Sequence, residues 1–523
     1  MNKNRRLKNK CIILFLFFTG VAARLYQFGI VPNGLNQDEA FAGYEAWNLL
    51  TAHHDTMGYS FPVYLFTNGG GMNALETYLL IPLMAIFGPQ DWVIRIPQVV
   101  VAILSMPATY GIARRIYGQK AAIWTLMVVS WCPWHIMMSR WGLESNLAPG
   151  MLLFGLYFFL RGEEKKQFYL LSAFFYGTSL YSYAVVWLYV PVILLISVLY
   201  LIHIKKLCWS DRILWKCIGV LVIMGAPLVF VLGVNYGYIG EIKTRFFSVP
   251  KLDFLRTSQT SGYTVIENLQ NLWKILVEQT DGLIWNSPEK YGLYYPYGIL
   301  FVLIGVVGTI RRLFQKIKWK QYAPELFVIL QFACGLILGT TSHVNVNRIN
   351  IIWFPLLLME GCGLDIFCRM SGKFLARIYE KFSKRVVSIA VATVFLISFI
   401  GFEHYYFTDY KKPIEIAFDG GMKEALIEAE KSGKTIHINR MGMYPKVLYY
   451  SRMPVNEYMT TRVFSDYHPM PQSAGNLYFD LNAAVPDKNG VFILQEDFDC
   501  SKFIQAGFHF KHYGSCIYAF YPE

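Results

Sequence analysis

Long apolar blocks separated by short polar segments run from Cys11 to Gly401. They fall at about 11–30, 92–113, 121–139, 147–161, 167–183, 185–203, 213–235, 297–310, 325–342, 350–368 and 386–402. Blocks of this length and polarity are membrane-span signals, since a helix needs about 20 apolar residues to cross the hydrocarbon core. The pattern therefore predicts about eleven transmembrane helices. One further apolar segment, LETYLLIPLMAIFG at 75–88, is short, holds Pro82 and ends at Gly88. It is expected to lie along the interface or to dip in and out. The first block follows MNKNRRLKNK, and no small-residue cleavage site precedes Asp38. It reads as an uncleaved span, not a signal peptide.

The pattern changes after residue 402. The stretch MKEALIEAEKSG at 422–433 is helix-like, with Gly433 placed as its C-terminal cap. KTIHINR and GVFILQED read as strands, and FHFKHYGSCIYAFY as a hairpin turning at Gly514–Ser515. The expected architecture is a polytopic all-α membrane domain over 1–402 and a C-terminal extracytoplasmic α/β domain over 403–523.

Composition agrees: 54% of residues are hydrophobic and only 16% charged, against about 25% charged in soluble proteins. The net charge of +13 would suggest nucleic acid in a soluble chain. Here the basic residues cluster in short loops: at 3–10, at Arg114, Arg115 and Lys120, at Arg161, Lys165 and Lys166, between Lys205 and Lys216, between Arg311 and Lys320, and at 369–385. With eleven spans and 75–88 not crossing, every cluster lies on the cytoplasmic side. The N-terminus is then inside and the C-terminus outside. The segments 31–91, 140–146, 236–296 and 342–349 share the outer face with the tail. Seven of the nine cysteines lie in or beside apolar blocks. Cys500 and Cys516 lie in the tail, either as one disulfide or as two unrelated thiols.

No phosphate-binding GxxxxGK[ST] loop, GxGxxG, HExxH or CxxC motif is present. Few charges fall mid-span; Glu360 is the main exception and reads as helix-paired. Polar residues gather on the outer face instead. Asp38 and Glu39 lie side by side in NQDEAFAGYEAW, among Leu35, Ala40, Phe41, Tyr44 and Trp47. They either solvate the end of a span or place a carboxylate to take a proton at a membrane surface. In WHIMMSRWGLESN, Arg140 and Glu144 are four apart. They form an i,i+4 ion pair, or Arg140 holds a phosphate that Glu144 orients. In SHVNVNRINIIWFP, Arg348 stands near His343, Asn345 and Asn347; it snorkels or makes a second phosphate contact. Tyr291 and Tyr294 in NSPEKYGLYYPYG belong to an interface belt or clamp a lipid chain or sugar. Together these groups suit transfer of a group from a lipid phosphate to an acceptor at the outer surface.

The order of NQDEAFAGYEAW, FGPQDWVIRIPQVVVAIL, ARRIYG, PWHIMMSRWGLESN and NRINIIWFPLL resembles the GT-C glycosyltransferases of the protein O-mannosyltransferase and aminoarabinose-transferase type, over about residues 1–410. The resemblance implies inverting transfer of a sugar from a polyprenyl-phosphate donor to a protein, glycan or lipid acceptor in the cell envelope, with no nucleic-acid partner. It implies Asp38 as general base with Glu39 in the same motif, and Arg140 and Arg348, with His343, at the donor phosphate. Glu144, Tyr44, Glu76, Tyr291 and Tyr294 would be supporting groups. One departure stands out: where many relatives carry Lys-Pro-Pro, this chain reads GGGMNALETYLL, with Glu76 close by. A divalent metal occurs in the wider superfamily, but the acidic pair comes with no set of spaced ligands, so no metal is assigned. Two rival readings are a lipid or polysaccharide transporter, which calls for paired charges within spans and related halves, and a membrane anchor whose tail binds the cell wall.

Overall fold

The computed structural model describes residues 3–255, 264–341, 344–378, 384–465, 468–479 and 485–522. Each of the eleven apolar blocks lands on helix. In chain order the membrane region comprises α1 (Lys3–Leu25), α2 (Gln37–Thr51), α3 (Leu75–Phe87), α4 (Ile96–Ile116), α5 (Gln119–Trp131), α6 (Glu144–Arg161), α7 (Phe168–Ser179), α8 (Val186–His203), α9 (Arg212–Asn235), α10 (Val265–Trp273), α11 (Gly298–Lys318), α12 (Glu325–Thr341), α13 (Trp353–Ile378) and α14 (Lys384–Phe407). Among the described residues six helices are long and apolar enough to cross a bilayer: α4, α8, α9, α11, α13 with the short turn before it, and α14. The chain is a multi-pass membrane protein. The other helices on apolar blocks are shorter or more polar than a simple spanning helix.

The basic clusters meet at one end of the bundle. Arg115 bonds Glu164, Lys206 lies 3.3 Å from Glu163, Lys166 2.8 Å from Asp211 and Lys316 2.8 Å from Glu325. These pairs stitch together the turns that connect α4 to α5, α6 to α7, α8 to α9 and α11 to α12. α13 runs through the centre, with 89% of its most apolar stretch buried, and α9 and α14 face outward with 17%. α11 and α13 pack backbone to backbone. A Cβ on Gly305 would stand 1.8 Å from the Met359 carbonyl oxygen, and one on Gly363 1.9 Å from that of Phe301. Small residues at such crossings let membrane helices approach closely enough for dispersion to hold them.

α3 does not run through the bundle. Its Leu80 and Met84 share a core with Phe41 and Tyr44 of α2 and with Met422, Ile436 and Tyr449 of the tail. The tail carries the expected elements: a helix at Met422–Glu430 and a seven-stranded sheet whose central strand, Thr435–Ile438, pairs in parallel with Leu477–Phe479 and Gly490–Gln495. The hairpin His509–Tyr513 and Cys516–Phe520 forms one edge. Gly433 has φ +64°, as a C-terminal cap requires. Cys500 and Cys516 are separate thiols. The division at 402 falls inside α14, which continues to Phe407.

On α2 and just beyond it two carboxyls, Glu45 and Asp55, share a buried niche. Asp55 Oδ1 accepts the amides of Met57 at 2.9 Å and Tyr59 at 2.8 Å, which favours its charged form against the burial that raises it to about 6. Glu45 is bonded by the amide of Thr56 at 3.0 Å and by its hydroxyl. Burial, with the Asp55 charge second, pushes Glu45 up to about 8. Such a group stabilises the fold fully below the unfolded value of about 4.5 and loses that contribution as pH rises towards 8. The thermal midpoint of the purified protein should therefore fall between pH 5 and 8.5 by a few degrees more than that of Glu45→Gln. Parallel pH profiles for the two proteins would contradict the assignment.

Candidate active site

The start of α2 is built by a reciprocal cap. The Asn36 side chain accepts the Asp38 amide at 3.0 Å, and Glu39 Oε2 accepts the Asn36 amide at 2.8 Å. This satisfies two of the amides that a helix start leaves bare. Glu39 has no exposed surface. Arg95, which precedes α4, meets it with Nε 3.0 Å from Oε1, and the Gly142 amide donates to the same oxygen at 2.6 Å. The remaining arms of Arg95 reach the carbonyls of Pro32 at 2.7 Å and Gly34 at 2.6 Å. The acidic pair is thus divided. Glu39 is spent on structure, and Asp38, half-buried in the first helical turn, is held in place by its neighbour.

The turn 140–146 links this carboxylate to segments elsewhere in the chain. Its Gly142 fits between two acids: an added Cβ would lie 2.5 Å from Glu76 Oε1 and 3.1 Å from Glu39 Cγ. Glu144 accepts the amide of Asn73, at the end of the hairpin Tyr64–Thr67 and Gly70–Asn73. Asn350 Nδ2 donates to the Ser145 carbonyl, two residues beyond Arg348. Gln98 spans the gap, donating to the Leu143 carbonyl at 3.0 Å and lying 3.4 Å from Glu76 Oε1. Burial raises Glu76 well above the ordinary carboxyl range, helped by the charges of Glu39, Glu144 and Asp38. Its charged form is disfavoured there. Segments 36–39, 73–76, 142–146 and 348–350 converge on one place.

Not every expected residue joins them. Arg140 has no exposed surface, and its side chain points away from Glu39. Its five N–H groups are all used: Nε on the Val31 carbonyl at 3.1 Å, Nη1 on Ala23 and Arg24 at 3.1 Å, Nη2 on Tyr26 at 2.8 Å and Gln27 at 3.0 Å. A guanidinium carries five donors, so the expected phosphate contact does not fit this placement, and no ion pair forms with Glu144. Arg140 caps the C-terminus of α1, where bare carbonyls and the helix dipole favour a cation. Arg24 of α1 returns the arrangement, donating to Val129 and Ser130 at the end of α5, both at 3.0 Å. The hydroxyls of Tyr44 and Tyr294 are also spent on backbone, on Met453 at 2.8 Å and on Leu276. Tyr291 packs against Phe402 and Tyr405. Arg348 is half-buried, its amide bonded to Asn345 Oδ1 at 2.8 Å. His343 lies outside the described residues. Sequence reasoning missed Arg95, Gln98, Asn73 and Asn350. The available signal for Arg95 was a cation on the outer side of a span, where the charge bias leaves few. Among the described residues no group of three or more His, Cys, Asp or Glu is arranged to hold a metal ion.

The helical bundle with its appended domain is a fold shared with solved structures, and a family model matches part of the chain, in keeping with the resemblance read from the sequence. Residues 75–230 match the family model for dolichyl-phosphate-mannose-protein mannosyltransferase. Among solved structures the chain is similar to ArnT from Cupriavidus metallidurans in the apo state, at 11% identity and TM-score 0.52, over 99% of this chain and 97% of that one. It matches the same protein bound to undecaprenyl phosphate at 10% identity and TM-score 0.52, over 99% and 98%. It is also similar to the archaeal oligosaccharyltransferase AglB from Archaeoglobus fulgidus, in complex with an inhibitory peptide and a dolichol-phosphate, at 11% identity and TM-score 0.54, over 99% and 74%. No curated protein matches by sequence.

The capping role of Arg140 is testable apart from any activity. Leaving a buried acceptor bare costs about 1–3 kcal/mol. Arg140→Lys, with three donors in place of five, should lose about 2–4 kcal/mol of stability in detergent, read as a lower unfolding midpoint. An unchanged midpoint would show that the carbonyls do not depend on it.

Proposed function

We propose that this chain is an inverting membrane glycosyltransferase that moves a sugar from a polyprenyl-phosphate donor to an acceptor at the outer membrane face, with Asp38 as general base. The observation that carries this reading is the divided acidic pair. Glu39 is locked by Arg95, Gly142 and Asn36, and that lock presents Asp38 at a junction of three outer segments. The lipid-linked ligands named for the similar ArnT and AglB structures support the donor class, and the mannosyltransferase family match supports the reaction. The basic clusters gathered at the opposite end support an orientation with that end in the cytoplasm and the tail outside, with the eleven helical blocks as spans.

Displacement at an anomeric carbon passes through an oxocarbenium-like state. Asp38 takes the proton of the acceptor nucleophile as the new bond forms. The sugar–phosphate bond breaks on the opposite face, and negative charge returns to the lipid phosphate. Fixed cations or amides must meet that charge. With Arg140 committed to α1, Arg348 is the guanidinium we assign to the phosphate. The acceptor, whether protein, glycan or lipid, approaches from the side of α2 and the tail.

The test is an in vitro assay of purified protein with a panel of polyprenyl-phosphate sugars. Asp38→Asn should lower turnover by about 10²–10⁴-fold while donor binding stays near wild type. Arg348→Gln should cost about 10²–10³-fold in turnover and weaken the donor as well. Full turnover by Asp38→Asn would end the base assignment.

A further inference from the structure

At the basic end of the bundle, away from the candidate active site, α1, α5 and α14 enclose a groove of about 680 Å³. All three walls have the same polarity. Each begins with an exposed cation, Lys8, Lys120 or Arg385, and continues with apolar side chains towards the opposite end. Along α1 these include Phe15 and Leu16, along α5 Trp124 and Trp131, and along α14 Ile389 and Leu396. The one acidic side chain in the lining, Asp365, is held by Arg369 at 3.2 Å and does not neutralise the rim. From Arg385 to Leu396 the wall is about 16 Å long at 1.5 Å per residue, which is one leaflet of a hydrocarbon core of about 30 Å. The groove opens outward: Phe15 is 53% exposed and Ile389 58%.

We propose that this groove binds an anionic glycerophospholipid of the leaflet at the basic end. Its phosphate sits among Lys8, Lys120 and Arg385, and an acyl chain lies along α1, α5 and α14. A chain one leaflet long needs a slot of that depth, and a headgroup of negative charge needs the cations at its mouth; basic pockets between membrane helices recognise such headgroups. The site is separate from the proposed transfer centre and stands or falls independently of it.

Delipidated full-length protein in detergent, titrated with lipids and read by native mass spectrometry, tests the assignment. Phosphatidylglycerol should bind at least about tenfold tighter than phosphatidylcholine of the same chains. A surface Lys or Arg is worth roughly fivefold, so each of Lys8→Gln, Lys120→Gln and Arg385→Gln should lose about that factor, and the triple variant roughly 100-fold. Ala392→Trp fills the apolar slot and keeps the charges; it should also lose binding. Equal affinity for the two lipids, or wild-type binding by the triple variant, would overturn the site. Full binding by Ala392→Trp would reduce it to surface charge and overturn the groove. Displacement of phosphatidylglycerol by an equal concentration of polyprenyl phosphate would overturn the choice of occupant.

Discussion

The end of this molecule that carries Asp38 depends on one buried ion pair. Glu39 and Arg95 both lack exposed surface, and charges so placed persist only when geometry and further hydrogen bonds offset desolvation. Here they do. The carboxylate takes the guanidinium, the Gly142 amide and the Asn36 amide, and the guanidinium takes the Pro32 and Gly34 carbonyls. The pair therefore fixes the loop between α1 and α2, the first turn of α2, the entry to α4 and the turn before α6. Removing either partner would strand the other, a loss of about 3–5 kcal/mol in comparable cases. Asp38 keeps its position because its neighbour cannot move.

A second use of buried cations sits immediately behind that pair. Arg24 of α1 caps α5, and Arg140, in the turn before α6, caps α1, both with guanidinium groups on carbonyls instead of carboxylates. Bare C-terminal carbonyls at membrane depth have no water to turn to. A charged side chain that would be costly alone becomes the cheapest partner for them. Arg140 also lies over the ring of Phe407 at 4.8 Å, which brings α14 into the same knot. The bundle is thus tied at one end by buried cations and at the end that gathers the basic clusters by half-exposed ion pairs.

This division explains what the sequence disclosed. Apolar blocks and the period change after residue 402 announced the helices, the Met422–Glu430 helix, the strands and the final hairpin, because those signals are local. Asp38 and Glu39 were legible as a feature, yet nothing in two adjacent letters says which is buried. Arg140 and Glu144 are spaced as an i,i+4 pair, but α6 begins at Glu144, so the two do not share a helical face. Each found a backbone partner from a distant segment instead. The same holds for Tyr44, whose position in an amphipathic helix is consistent with a substrate contact but whose hydroxyl is taken by Met453. Residues that unite segments far apart in the chain leave no periodic trace. Gln98 and Asn350 were invisible for that reason.

The tail illustrates the same point on a larger scale. It was legible as a separate domain, and a detachable wall-binding module would need its own closed core. The structure gives it a shared one: α2 and α3 contribute Phe41, Tyr44, Leu80 and Met84 to the cluster that holds Ile436, Val447 and Tyr449. Polar contacts follow the seam, with the Tyr444 hydroxyl 2.9 Å from Asn68 Oδ1 and that of Tyr450 3.2 Å from Asp91. α2 is therefore packed between the bundle, through Glu39, and the tail, through Tyr44. Any displacement of the tail must move the helix whose first turn carries Asp38, or break a core.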